Sequence, residues 1–314
     1  MGRKRNFGRP LSGVLVLNKA AGMTSNQALQ KAKHLFYANK AGHTGSLDPF
    51  ATGVLPLCFG EATKFSQYLL DADKRYISTF RLGIETSTAD LEGEEIARTD
   101  AAHISAQQIE TALAEFRGDI LQVPPMVSAL KVNGQPLYKL ARKGRVIERQ
   151  ARAVTIYQLD ILAIRLGAVA EVDVDIRCSK GTYIRSIASD LGAKLGVGGH
   201  VAKLHRAAAG AFDESQSVTL DELIAERGDG DPSLLDHHLL PPDAALDSIP
   251  KLALSNISSH YFCQGQAVMD MRVYRLGDQG DTVRVCREDG VFLGLGEITD
   301  DGCVAPRRVV VLNP

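Results

Sequence analysis

The chain has no C-x-x-C pair and no Cys/His group at zinc spacing; its five cysteines, Cys58, Cys178, Cys263, Cys286 and Cys303, stand singly. A structural zinc site or a disulfide framework would need paired spacings. An odd, scattered set suits a reducing compartment, where buried thiols act as small hydrophobes. Excess positive charge is also missing. The formal net charge is -1 over 314 residues, so any hold on nucleic acid must rest on local basic segments. The apolar run Val14–Leu17 is far too short to span a bilayer. The basic start MGRKRNFGRP is followed by no apolar h-region, so no signal peptide is expected and the expected compartment is the cytoplasm. The signatures G-x-x-x-x-G-K-[ST], G-x-S-x-G and H-E-x-x-H are absent, which sets aside P-loop, nucleophile-elbow and zincin chemistry. There is no internal repeat and no low-complexity tract.

An apolar content of 45% is ample for a core of one large domain or two. Gly13–Leu17 is short, β-branched and continuous, which predicts a buried strand. Met23-Thr24-Ser25 offers an N-cap to a helix over Gln27–Phe36. A polar, glycine-bearing loop follows, Gly42-His43-Thr44-Gly45-Ser46-Leu47-Asp48-Pro49. Ala51–Phe59 is small and apolar, and Glu61–Asp71 reads as a helix. Strands are expected at Arg75–Leu82, Val154–Ile164 and Glu171–Cys178, with a turn-rich loop at Gly83–Gly93. Helices are expected at Ser105–Phe116 and Tyr183–Leu195. Between Lys131 and Arg152, seven basic residues (Lys131, Lys139, Arg142, Lys143, Arg145, Arg149, Arg152) face only Glu148, a basic excursion from the sheet. Residues 221–250 are acidic and proline-rich, and their end reads as a linker. Beyond it, short β-like runs at Thr282–Cys286, Val291–Leu295 and Arg308–Leu312 predict a small, mostly β domain.

Three places could carry chemistry. Asp48 is flanked by glycines, and Pro49 restricts it to extended backbone. Such a carboxylate can be held toward a cleft, although an Asx-type turn is the commoner use of Asp before Pro. No second carboxylate lies between Lys40 and Gly60, so paired-carboxylate glycosidase chemistry would need a partner from elsewhere. Tyr76, in Asp73-Lys74-Arg75-Tyr76, could stack on a base while its basic neighbours meet phosphate; it could equally be a packed strand-start tyrosine. Arg185, in Ser179-Lys180-Gly181-Thr182-Tyr183-Ile184-Arg185, lies at a helix start that attracts anions. It could clasp a carboxylate bidentately or make an ordinary ion pair.

The run AGHTGSLDPFATGVLPLCFGEATKFSQYLLDADKRY, Ala41–Tyr76, resembles the signature of the TruB family, the bacterial tRNA pseudouridine-55 synthases. The resemblance continues, in order, through GVLVLNKAAGMTSN (13–26), VPPMVSALKVNGQPLYKLAR (123–142), CSKGTYIRSIASDLG (178–192) and VAPRRVVV (304–311). It implies an α+β fold: a catalytic domain over residues 1–250 built on a mixed, largely antiparallel sheet flanked by helices and loops, with 124–152 as a mobile thumb-like insertion. A mostly β, PUA-like RNA-binding domain over 251–314 would follow. The implied reaction flips uridine 55 of the TΨC loop out of its stack, breaks the N1–C1′ bond, turns the uracil and rejoins it through C5, with no cofactor and no metal.

By the same resemblance Asp48 is the nucleophile, attacking C1′ or taking the C2′ proton. Arg185 is its ion-pair partner, which keeps the carboxylate oriented and ionised. Tyr76 stacks on the flipped uracil and is a candidate for proton transfer at C5. Tyr183 and Leu204 line the uridine pocket, where a leucine excludes water. His43 fills the space vacated by the flipped base. The implied partner is tRNA, met at the T-arm stem-loop and acceptor stem, by a monomer that needs no guide RNA and no membrane. Two positions depart from the family pattern: Ala20 stands where proline is usual, and Val127 where tyrosine is common. Other possibilities are an RNA-guided relative working inside a ribonucleoprotein, an RNA-binding or tRNA-folding module without essential catalysis, and a glycosidase-like hydrolase. The thumb-like insertion and the intact Asp48, Tyr76 and Arg185 favour the stand-alone enzyme, and folding assistance could accompany it.

Overall fold

The computed structural model describes residues 7–128, 130–132, 134–141, 143–145 and 147–311. Arg142, counted in the basic segment, the first six residues of the basic start, and Leu312, expected in the last strand, lie outside the described residues. The fold is α+β. Its frame is a ten-stranded mixed sheet. Along the main path the strands run Val218–Thr219, Gly13–Lys19, Thr52–Phe59, Gly199–Ala209, Lys74–Leu82, Ala170–Cys178, Arg152–Arg165 and Gly118–Gln122. Pairing is antiparallel except where Val218–Thr219 meets Gly13–Lys19 and where Gly199–Ala209 meets Thr52–Phe59.

The sheet is covered on both faces around its first strands, which explains their unbroken apolar character. From Gly13–Lys19, Leu15 and Leu17 enter the main core with the helix residues Ala28, Leu29 and Ala32. Val14 and Val16 enter a second cluster with Val54, Cys58, Leu69 and Phe212. Each such buried leucine or valine stabilises the fold by about 1.5–3 kcal/mol. The helix Ser25–Leu35 starts in a capping box, Thr24 with Gln27, and Ala106–Ala114 in another, Ser105 with Gln108. The helix Ile184–Lys194 packs Ile184, Ile187 and Leu191 into the same main core.

Several expectations shift. Glu61–Asp71 is not one helix but a 3-10 turn, Gly60–Phe65, running into a short α-helix, Ser66–Asp71. The turn-rich stretch after Gly83 contains a small strand, Ile84–Thr86, paired with Glu95–Arg98. The expected linker is packed: Leu246 is fully buried, and Asp243 and Asp247 both pair with Arg284. Beyond it, a five-stranded sheet is ordered Lys251–Leu254, Thr282–Arg287, Phe292–Ile298, Cys303–Val309, Val268–Met269, with the helix Asn256–Cys263 against it. Phe65 meets Phe292 edge-on, centroids 5.1 Å apart, where the two sheets' layers join. Among the described residues, no helix is long and apolar enough to cross a membrane.

Candidate active site

The loop between the strands Ala41–His43 and Thr52–Phe59 is fixed from both sides. Thr44 bonds the Pro56 carbonyl through its amide and its hydroxyl, each at 3.1 Å. Ser25, at the start of the first helix, donates to Leu47 O (3.1 Å) and accepts from Leu47 N (2.7 Å). Gly45 has φ +86°, a conformation that glycine takes without strain. The Asp48 carbonyl accepts from Ala51 N, closing the turn around Pro49. Under this turn lies Lys19, fully buried, whose ammonium donates to Ala20 O (2.9 Å), Met23 O (2.8 Å) and Pro49 O (3.1 Å). Burial lowers its pKa to about 8, against the pull of Asp48. The turn at Ala20 is therefore tied by the Lys19 ammonium.

Asp48 meets Arg185 in a fork: Nε to Oδ2 at 3.0 Å and Nη2 to Oδ1 at 3.2 Å. Arg185 is buried, 3% exposed, and its remaining hydrogens are also committed. Nη1 donates to Thr88 O (3.1 Å) and Asp90 Oδ2 (3.3 Å), and Nη2 to Val127 O (2.6 Å). Val127 thus serves through its carbonyl, whatever its side chain. Ala89, between Thr88 and Asp90, has φ +58°, a strained conformation for alanine. Its carbonyl is pinned by Val201 N, and the kink turns both neighbours toward Arg185. Asp90 is held by Thr88 Oγ1 (2.5 Å) and Glu92 N (3.0 Å). Burial raises the Asp48 pKa, and Asp90 adds to this; Arg185 and Lys19 pull it back. The side chain keeps 32% of its surface accessible, and Asp48 lines a cavity.

The cavity holds about 410 Å³. His43, Asp48, Tyr76, Tyr183, Arg185 and Leu204, far apart in sequence, all line it. Tyr76 comes from the strand Lys74–Leu82, between Ile176 and Arg206 on the neighbouring strands. Burial raises its pKa, keeping the phenol protonated, and the facing Arg206 guanidinium opposes this only in part. Tyr183 precedes the helix Ile184–Lys194 and is clamped by Gln122, which accepts from its amide (2.7 Å) and donates to its carbonyl (3.0 Å). His43 is lowered by burial and then by Arg206, and its Nδ1 is buried without a partner; a neutral, half-desolvated ring suits stacking.

Sequence reasoning missed Asp90, Lys19 and Arg206, and had Lys74 only as a basic neighbour of Tyr76 that meets phosphate. In the sequence Asp90 is only one member of a polar loop, and Lys19 only the neighbour of Ala20. Arg206 is 1% exposed, donating to Val54 O (2.7 Å) and Gly45 O (3.3 Å) across the loop base. Lys74 donates to the Leu69, Leu70 and Ala72 carbonyls, and burial lowers its pKa to about 8. The strand carrying Arg206 and Leu204 was not foreseen either. Among the described lining side chains, Lys74, Arg185 and Arg206 stand against Asp48 as the one acid, a balance that suits a phosphate-bearing ligand.

The chain matches three consecutive family models: TruB family pseudouridylate synthase (N terminal domain) over residues 33–184, tRNA pseudouridylate synthase B C-terminal domain over 185–247, and Pseudouridine synthase II TruB, C-terminal, over 250–310. It is 60% identical to the tRNA pseudouridine synthase B of Saccharophagus degradans and 52% to that of Pseudomonas aeruginosa, over 99% of both chains in each case. Among solved structures it is similar to a Cbf5-Nop10-Gar1 complex chain (TM-score 0.68, 25% identity, covering 96% of this chain and 84% of that one). An H/ACA ribonucleoprotein chain bound to substrate RNA shares the fold (TM-score 0.70, 23% identity, covering 99% and 92%).

Proposed function

This chain belongs to the TruB family of pseudouridylate synthases, and we propose that it isomerises uridine 55 in the TΨC loop of tRNA, with Asp48 as the group that opens the glycosidic bond. The coarse activity, tRNA pseudouridine synthesis, rests on the 60% identical relative matched nearly end to end. The observation that carries the mechanism is the Asp48–Arg185 fork inside the cavity.

The target bond is buried in a stacked loop, so the nucleotide must be flipped into the cavity. Asp48 either attacks C1′, displacing N1, or removes the C2′ proton to give a glycal. The freed uracil turns and C5 bonds to C1′, displacing the Asp48 carboxylate on the first path or with Asp48 returning the proton to C2′ on the second; the C5 proton leaves and N1 gains one, so the isomerisation balances without an added reagent. Arg185 holds the carboxylate ionised and aimed. Tyr76 stacks on the uracil. Its raised pKa favours a protonated hydroxyl that donates or relays over a resident phenolate. Tyr183 and Leu204 wall the pocket, and His43 fills the gap left in the RNA stack. The exposed Lys131, Lys139, Lys143 and Arg145 bind phosphate in the thumb-like insertion within the catalytic domain, residues 1–250. The domain over 251–314 meets the acceptor stem. The chain acts as a monomer in the cytoplasm, without guide RNA.

The test is incubation of the pure chain with an unmodified T-stem-loop transcript and mapping of pseudouridine at nucleotide resolution. Product at position 55 without guide RNA is expected. Asp48→Asn should abolish it while filter-binding affinity changes little. Product elsewhere, or turnover retained in the variant, would overturn the assignment.

A further inference from the structure

We propose that Glu226, His237 and His238, which lie outside the cavity, form a site for a divalent transition-metal ion of the zinc, nickel or copper type. Glu226 sits in the last turn of the helix Leu220–Arg227, and both histidines sit in the last turn of the 3-10 helix Pro232–His238. The connection between them is built to return the chain. Gly228 has φ +48°, Gly230 N donates to Arg227 O (2.8 Å), and Asp231 caps the 3-10 helix through Ser233 N (2.8 Å), with Pro232 in its first turn. Leu235 is fully buried beneath it, and Asp236 is ion-paired with Arg9.

On this frame the two imidazoles converge on one carboxylate. His238 Nε2 lies 2.7 Å from Glu226 Oε2, His237 Nε2 lies 3.4 Å from Glu226 Oε1, and one ligand atom from each of the three residues falls within 4.8 Å of the others. The rings are 4.1 Å apart, centroid to centroid. Ligand atoms about 2.0–2.1 Å from a tetrahedral zinc stand about 3.3 Å from one another, so one edge of the polyhedron is already set. The 2.7 Å contact of His238 Nε2 is to the other carboxylate oxygen, Oε2, and opens by about 0.6 Å around a shared ion.

Two details favour a metal over a plain ion pair. His237 Nδ1 lies 2.9 Å from the Leu234 carbonyl, which can only accept. In the neutral ring this places the proton on Nδ1 and leaves the Nε2 lone pair facing Glu226, the arrangement found behind metal-ligating histidines. Glu226 also lies at the negative end of its helix, where a carboxylate is disfavoured unless a cation meets it. Glu222, one turn earlier, does not share this duty; it closes the helix start with Thr219 through two hydrogen bonds of 2.8 Å. Two imidazoles and a carboxylate suit borderline ions, and three ligands at the surface leave further positions to water.

The full chain, without a histidine tag and stripped with chelator, is titrated with ZnCl2 by calorimetry and with CuCl2 by electron paramagnetic resonance. The expected result is one ion per chain, a copper spectrum with nitrogen coupling, and a zinc-dependent rise in Tm. The surface double variant His237→Asn/His238→Asn should lose all three while its metal-free Tm matches that of the unsubstituted chain. Glu226→Gln should weaken binding and keep the nitrogen coupling. No saturable binding by the unsubstituted chain, or undiminished binding in the double variant, would overturn the site. Pseudouridine formation, assayed alongside in metal-free buffer, is expected to be equal in all three chains.

Discussion

Replacing Arg185 by methionine keeps the length and apolar stem of the side chain and deletes its charge. Its hydrogen bonds and ion pairs go with it: two to Asp48, and one each to Asp90, Thr88 O and Val127 O. Removing one partner of a buried ion pair costs about 3–5 kcal/mol, chiefly because the other charge is left uncompensated. Here two carboxylates are left, but Asp48 borders the cavity and can take up a proton, so about 3 kcal/mol at pH 7.5 is expected. The cost should depend on pH. Without the guanidinium the Asp48 carboxyl, already raised by burial, binds its proton more tightly still in the folded chain than in the unfolded one. Stability is then fullest in acid and is lost as pH rises through the unfolded and then the folded pKa. The gap between variant and unsubstituted chain, read from urea unfolding by circular dichroism, should therefore narrow from pH 7.5 to pH 5. Turnover should fall about 10²- to 10³-fold, the scale of removing one charge-stabilising group, with tRNA affinity little changed. A gap under about 1 kcal/mol, or one equal at both pH values, would refute the claim that Arg185 neutralises the buried Asp90 and the half-buried Asp48.

Two further outcomes separate the roles assigned around the cavity. Tyr76→Leu should lower turnover far more than affinity, and Tyr76→Phe should retain most binding while losing whatever the hydroxyl contributes; comparable loss of affinity in a filter-binding assay would make Tyr76 a docking residue. Converting Lys131, Lys139, Lys143 and Arg145 to glutamine should flatten the plot of log affinity against log salt by about 0.7–0.9 for each phosphate no longer neutralised. An unchanged slope would remove the thumb-like segment from the RNA interface. Substitution is cleaner than deleting 131–152, since Leu137 is fully buried and Arg152 begins a sheet strand.

Much of the frame was legible because periodicity and caps are local. Thr24 and Ser105 announced their helices, and the alternation of Val172, Val174 and Ile176 announced a strand that lies inside the sheet. The strand Gly199–Ala209 was invisible for a physical reason. Its sequence, GHVAKLHRAAA, is rich in small and basic residues and has weak strand character. It forms because it fills the space between Thr52–Phe59 and Lys74–Leu82, and Arg206 is buried there because the carbonyls of Gly45 and Val54 receive it. Position-by-position reading puts arginine and lysine outside, so Arg206 and Lys19 could not be found that way, and the burial of Lys74 could not be foreseen. Asp48, Tyr76 and Arg185 were marked by motif resemblance; taken singly, each had an ordinary structural explanation.

In the proposed reaction a single carboxylate acts, and the surroundings of Asp48 suit it to that. An exposed aspartate is ionised at neutral pH but is sheathed in water, which blunts it as a nucleophile. A fully buried one is unhydrated but takes up a proton. The cavity lies between these limits. Burial and Asp90 raise the pKa; Arg185 and Lys19 lower it. Asp90 is one of the groups in that balance. Were Arg185 bound to Asp48 alone, its whole charge would stabilise the resting carboxylate and deepen the ground state from which reaction begins. Asp90 and Thr88 O take one edge of the guanidinium, and Asp48 keeps a partner that orients it through one hydrogen bond, Nη2 to Oδ1, and a close Nε–Oδ2 ion-pair contact. Asp90 does not line the cavity; it reaches Asp48 only through Arg185, beside the strained backbone at Ala89.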